Sequence, residues 1–267
     1  MVNLLFVFLL LLLEQHNSNI MKKYLLAMLV CASWAFISHQ VEHGVITYST
    51  KVNVHKRIPA DQEEMKKMVP EFNVTESLLV FSGEESLYKP VPINENPFDQ
   101  GPGDGGPRMM RMVLQNEIYV DRSSEIMTQL REFMGKKYII QKETTRIPWK
   151  LGQDTKEIQG MLCKNAFYTD ENQREIVAWF TEEIRLPIGP EIFHGLPGLI
   201  LEVSINTDDM IITADKIDLR ALKKNELRIP KGGQEITDEA YRAMAQEQME
   251  KMGAQSGQGG FRMMIRN

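Results

Sequence analysis

The chain has 267 residues, 43% of them hydrophobic and 25% charged, with a net charge of −5. That balance belongs to an ordinary globular protein and argues against a nucleic-acid binder, which needs a basic face. Its two cysteines, Cys31 and Cys163, fall to one if the N-terminal segment is removed, which leaves no internal disulfide to form.

Residues 1–40 read as a targeting segment and not as part of the fold. Val2 to Leu13 is an apolar run too short to span a bilayer at ~20 residues. A second start follows. Met21-Lys22-Lys23 supplies a basic region, Tyr24 to Ile37 an apolar stretch, and Ser33 and Ala35 the small residues of a secretory signal peptide. This predicts Met21 as the true start and cleavage between Ala35 and Val41. Val30 stands where a lipoprotein needs a small residue before Cys31. The remaining ~230 residues fit one large domain, placed at 41–235 and followed by a helix over 236–253 and a tail over 254–267.

Gly44 to Val54 alternates and predicts the first strand. Asp61 and Glu64 have capping-box spacing ahead of Met65, Met68 and Val69, so a short helix is expected before Pro70. Ser77 to Ser82 and Glu85 to Lys89 form a strand pair around Gly83. Residues 90–107, rich in Pro, Gly, Asn and Asp, read as a mobile loop. A meander follows: Met110 to Val120, Ile126 to Phe133, Lys137 to Glu143, Ile147 to Leu151 and Gln159 to Tyr168, then Ile176 to Phe180 and Met210 to Leu219. Short strands separated by turns indicate an antiparallel sheet, not βαβ units. In the last helix Thr237 is the expected N-cap, Ile236 and Tyr241 a hydrophobic staple, and Gly253 the terminator. Tyr241, Met244, Ala245, Met249 and Met252 make one apolar stripe.

The stretch around which these elements are arranged is Gly195-Leu196-Pro197-Gly198-Leu199-Ile200. Pro197 presets φ for the second position of a β-turn, and Gly198 suits the positive φ of the third, so a type II turn is expected. Simple alternation beyond it puts Leu199, Leu201, Val203 and Ile205 on one face and Ile200, Glu202 and Ser204 on the other. Ile158-Gln159-Gly160-Met161-Leu162-Cys163-Lys164-Asn165-Ala166, Ala178-Trp179-Phe180-Thr181-Glu182-Glu183-Ile184, Gly189-Pro190 and Phe193 to Glu202 together resemble the GLPGLI family. These are secreted bacterial proteins, frequent in Bacteroidetes, named for the hexapeptide. The hexapeptide is intact, while Glu182 replaces the usual Pro after the Thr. The resemblance spans Ile158 to Val203 and implies an exported β protein of the cell envelope. The family is one of unknown function, so no catalytic residue carries over.

No G-x-S-x-G elbow, H-E-x-x-H or P-loop is present, so no catalytic residue is assigned and no cofactor is implied. His194 is a candidate pocket ligand, although no acid or nucleophile stands at telling spacing from it. Trp179 and Phe180 are candidates for an aromatic binding floor, with at least one ring expected in the core. Leu196-Pro197 should close one end of the sheet by packing over one of those rings. Cys163, on a strand face with Met161 and Phe167, should be a buried and inert thiol. Met109, Met110, Met112, Met263 and Met264 are soft thioethers that could hold Cu(I), against their alternative use as apolar filling. Asn73-Val74-Thr75 is a formal glycosylation triplet to which a bacterial protein gives no weight.

The expected architecture is all-β: one large curved antiparallel sheet or half-barrel with one or two short helices, including a C-terminal one. The expected function is an exported, non-catalytic binding or scaffold protein of the periplasm or outer surface. It would hold a peptide, lipid or protein segment on the concave face. A copper-handling protein using the methionines is the alternative, and an enzyme is third. No nucleic acid and no transmembrane span are expected in the mature protein.

Overall fold

A computed structural model of the chain describes residues 43–59, 62–91 and 116–255. The expected signal segment, most of the expected 90–107 loop and both methionine groups lie outside the described residues. Twelve strands form one sheet. They are β1 (His43–Asn53), β2 (Phe72–Ser82), β3 (Glu85–Pro90), β4 (Glu117–Asp121), β5 (Ile126–Phe133), β6 (Lys136–Glu143), β7 (Lys150–Ile158), β8 (Met161–Thr169), β9 (Glu175–Thr181), β10 (Leu199–Ile205), β11 (Met210–Asp218) and β12 (Gln234–Glu235). Two helices accompany them, α1 (Glu63–Met68) and α2 (Asp238–Gln255).

The strand order is β12-β6-β5-β4-β3-β2-β1-β11-β10-β9-β8-β7. All neighbours are antiparallel except the β12–β6 pair, which is parallel. The chain therefore runs outward as a meander from β1 to β6. It then jumps to the opposite edge at β7 and meanders inward until β11 pairs with β1. Tight turns make this possible: Met134-Gly135 and Gln159-Gly160 both take positive φ, at 51° and 75° in each pair, the geometry of type I′ hairpins.

The jump shows that the sheet is curled. β6 and β7 lie ten strand spacings apart, about 48 Å in a flat sheet. Residues 144–149 can reach only about 25 Å fully extended. The ends of the sheet must therefore approach one another, which is the curvature expected from the strand count. The linker crosses the inner face, where Ile147 and Trp149 pack against the main core. Trp149 meets Tyr168 edge-on at 4.8 Å between centroids. The expected strand Ile147–Leu151 is thus displaced: Ile147 and Trp149 are spent on the core, and the strand begins at Lys150, with Pro148 preceding it.

Ile46, Tyr48, Leu79, Phe81, Ile176, Ala178, Phe180, Ile200, Val203, Ile205 and Ile212 form the sheet's contribution to that core. Their registers place them on one face. The segment between β9 and β10 covers it with Ile184, Leu186, Ile188, Phe193 and Leu196. At the far end Tyr241 of α2 packs on Tyr138 and Ile140 of β6, with Ile236 beside them, as a staple requires. Thr237 caps α2 through Ala240 N at 3.2 Å. On the opposite face, residues 219–233 return from β11 to β12. They are tied down by Lys89 Nζ to the Glu226 carbonyl at 3.1 Å and by Arg228 to Glu117 at 3.2 Å. Among the described residues no helix is long and apolar enough to cross a membrane.

Several local expectations are corrected. α1 begins at Glu63 behind Gln62, which makes no side-chain cap, while Asp61, the expected cap, lies outside the described residues. α2 runs past Gly253 to Gln255. Phe167 is 43% exposed while Cys163, on the same strand face, is fully buried. The simple alternation of β10 also fails. A bulge between Ile200 and Glu202 inserts Leu201 as an extra residue, and this reverses the parity. Ile200, Val203 and Ile205 therefore oppose Phe180, Ala178 and Ile176 on the inner face, while Glu202 opposes Trp179 on the outer one.

Candidate binding pocket

The hexapeptide is a close-packed entry into β10, not a type II turn. Gly198 lacks a positive φ; the left-handed glycine is Gly195, at 87°. What Gly198 provides is space. A Cβ there would stand 2.0 Å from the carbonyl oxygen of Thr181, so only glycine lets the two backbones approach. Leu196 and Phe180 are buried in the same core. Pro197 is exposed and Leu199, Ile200 and Gly198 are buried.

Upstream, residues 184–195 fold into a compact cover. Leu186 N and Ile188 N donate two residues back, to Ile184 and Leu186 at 2.9 and 2.8 Å, a succession of tight γ-type turns. Gly195 N donates to Pro187 O, Phe193 N to Pro190 O, and Leu199 N and Ile200 N to the carbonyls of Ile184 and Ile188. The cover is thus hydrogen-bonded to the start of β10. Gly189 permits the packing, since a Cβ there would lie 2.7 Å from Phe193 O.

Between this cover and the inner face lies a small, partly open pocket. Leu79, Ser86, Tyr88, Ile118 and Val120 form its floor, and Pro187, Ile188, Gly189, Glu191, Phe193 and His194 its roof. The floor residues share a face because Tyr88 opposes both Leu79 and Ile118, and Ser86 opposes Val120. Arg122, just past β4, completes the wall. The turn that carries it is set by Asp121, whose carboxylate accepts from Ser123 N at 3.0 Å and from the Ser123 and Ser124 hydroxyls at 2.6 and 2.8 Å. These bonds hold the Asp121 carboxyl below its usual range. Arg122 Nε faces Glu84 at 3.3 Å and Nη2 donates to the Gly83 carbonyl. Nη1 is buried and meets no hydrogen-bond acceptor among the described residues.

His194 is half-buried at the rim, and its carbonyl accepts from Trp149 Nε1 at 2.9 Å. Burial, and then the positive charge of Arg122, push the imidazole pKa down, which favours the neutral ring at neutral pH. Glu191 holds a left-handed φ of 54° in the roof, and its negative charge is felt by Arg131.

The structure does not bring the predicted site residues together. Phe180 and Leu196 are core. Trp179 points to the other face, where Lys156 Nζ sits 4.4 Å from its ring centroid and 2.6 Å from Glu202 Oε1. Its exposed side is therefore occupied by a lysine. Of the predicted binding residues, His194 alone lines the pocket. Ser86, Tyr88, Arg122 and Glu191 were not singled out in the sequence. Arg122 sits in a turn whose sequence signals a turn and nothing more. Among the described residues no cluster of three or more His, Cys, Asp or Glu could hold a metal.

Three comparisons bear on this geometry. The family model described as "N-glycanase peptide, N-terminal domain" matches residues 110–242, a span that includes the hexapeptide and its cover. No curated protein matches the chain by sequence. Among solved structures, the chain is similar to PNGF-II in its C2 crystal form, with a TM-score of 0.53 and 16% identity over 78% of this chain and 33% of that one. The P21 form gives a TM-score of 0.52 and 18% identity over 78% and 34%. The likeness is one of fold, and the chain spans about a third of the length of PNGF-II.

Proposed function

We propose that this chain is an exported, non-catalytic binding module of the GLPGLI type, and that the pocket beneath residues 187–194 contacts its ligand. The observation that carries the reading is the pocket's make-up. Apolar walls from Leu79, Ile118, Val120, Ile188 and Phe193 surround a few convergent polar groups, the usual composition of a ligand site. A peptide, lipid or protein segment would reach it at the rim beside His194. The match to a domain described as the N-terminal part of an N-glycanase, and a fold that answers to a third of PNGF-II, support a module that accompanies chemistry instead of performing it.

Purifying wild-type protein and His194→Ala from native envelope, followed by mass spectrometry of bound material, tests this. The wild type should carry a ligand that the variant loses. Release of glycans from a glycopeptide by the purified chain, abolished by changes in the pocket, would replace the binding reading with a catalytic one.

A further inference from the structure

We propose that the strap running from the end of β11 towards β12, residues 216–231, docks the protein outer face down on a bilayer surface that carries anionic phospholipid. This goes beyond the binding reading above and does not depend on it. The chain as a whole is acidic, with a net charge of −5. Residues 216–231 nevertheless carry six cations, Lys216, Arg220, Lys223, Lys224, Arg228 and Lys231, against two acids, Asp218 and Glu226. One arginine takes both acids. Arg220 Nε donates to Asp218 at 3.0 Å, and its two terminal nitrogens grip Glu226 at 2.9 and 2.6 Å. Those bonds, joined by Lys223 N at 2.6 Å, hold the Glu226 carboxyl far below its usual range, at about 2. Arg228 is spent on Glu117. The four lysines are exposed and make no ion pair among the described residues. Asp215, next to Lys216, offsets only one of them.

These lysines share the outer face. Lys216 stands opposite Thr47, on the side of β1 away from the buried Tyr48. Further along, Lys89 and Glu117 hold the strap at Glu226 and Arg228. Leu222 and Leu227 are half-buried and Pro230 is buried, but Leu219 and Ile229 remain 45% and 49% exposed. The surface thus presents unneutralised ammonium groups interleaved with free aliphatic side chains. Lysines of this kind are drawn to anionic headgroups, and the aliphatic groups beside them can enter the interface. A nucleic acid would call for free arginine forks and stacking aromatics. Here both arginines are bonded to carboxylates, and the strap has no aromatic residue. An acidic protein would be served by the lysines alone, so the exposed Leu219 and Ile229 favour lipid. Docked this way, the inner face and its pocket turn away from the bilayer.

The test sediments the full chain with vesicles of phosphatidylcholine alone and of phosphatidylcholine mixed with phosphatidylglycerol. The difference between the two is the reading, which removes any contribution from the apolar run near the N-terminus. Binding to the anionic vesicles should be stronger by about tenfold or more, and the preference should vanish near 1 M salt, where the Debye length is about 3 Å. Lys224→Gln with Lys231→Gln should reduce the preference by about tenfold. Lys66→Gln with Lys67→Gln, which removes two lysines from α1, should leave it unchanged. Leu219→Ser with Ile229→Ser should weaken binding to the anionic vesicles severalfold. Melting curves equal to wild type show that each variant is folded. The absence of an anionic preference overturns the proposal, as does a preference that the strap lysines do not move or that the α1 pair moves equally. Equally tight binding to soluble polyglutamate, or indifference to the Leu219 and Ile229 changes, assigns the strap to acidic polymers and overturns the lipid surface.

Discussion

The Tyr48 hydroxyl donates a 2.6 Å hydrogen bond to the carbonyl oxygen of Ile200, 152 residues away. The two residues lie on strands separated by β11. The reason is the bulge at Leu201. β10 pairs with β11 only from Glu202 onward, so the Ile200 carbonyl is left outside that ladder and the phenol takes it. Tyr48 is fully buried and meets Tyr88 edge-on at 6.3 Å. One phenol thus links the first strand, the hexapeptide and the floor of the pocket.

Tyr48→Phe keeps the ring and strands a buried carbonyl. The expected cost is about 1–3 kcal/mol, measured by chemical denaturation. An unchanged midpoint would mean that another donor reaches Ile200.

The glycines of the hexapeptide should respond differently. Gly198→Ala forces a Cβ against the Thr181 carbonyl and should cost about 1–3 kcal/mol or more, as overpacking does. Gly195→Ala has open space around it but a φ of 87°, so about 1–2 kcal/mol of backbone strain is expected. Thermal melts of both variants check the order. A more damaging Gly195 change would show that the strand approach at Gly198 can relax.

Leu196→Ala should destabilise by about 2–5 kcal/mol, because Leu196 is 2% exposed within the main core. His194→Ala should change stability by no more than about 0.5 kcal/mol, since the cover is held by backbone hydrogen bonds that its side chain does not make. Paired melting curves of the two variants measure this division of labour.

The imidazole of His194 should titrate below its ordinary 6.5. A lowered histidine pKa means that the unfolded chain binds more protons than the native one as pH falls. Native stability from this group is therefore complete above about pH 6.5 and declines as pH drops towards the folded pKa. NMR titration of the ring gives the value directly, and Arg122→Gln should move it upward by removing the adjacent charge. A ring that titrates above 6.5 would place His194 outside the influence of both burial and Arg122.

Cys163 is a free, fully buried thiol whose pKa burial pushes up to about 11. Thiol reagents at neutral pH should label it slowly in the native protein and rapidly in denaturant. Equal rates would show that β8 opens readily.

The sequence alone determined the class of the fold, because its signals are local. Alternation in β1, the strand runs of β5 and β6, the turns at Gly83 and Gly135, and the Thr237 cap of α2 each depend on residues a few positions apart. The tertiary structure decided what no local window contains. A bulge at Leu201 inverted the faces of β10, because side-chain parity depends on the partner strand and not on the strand itself. Ile147 and Trp149 came to pack against the core because the sheet curls and its two edges must be joined across the inner face. Gly198 proved to need room and not φ, since the obstacle is the carbonyl of Thr181 on a neighbouring strand. The pocket follows the same logic: Ser86 and Tyr88 on β3, Arg122 just past β4 and His194 in the cover sit on three segments far apart in the chain, and curvature and the folded cover bring them to one place.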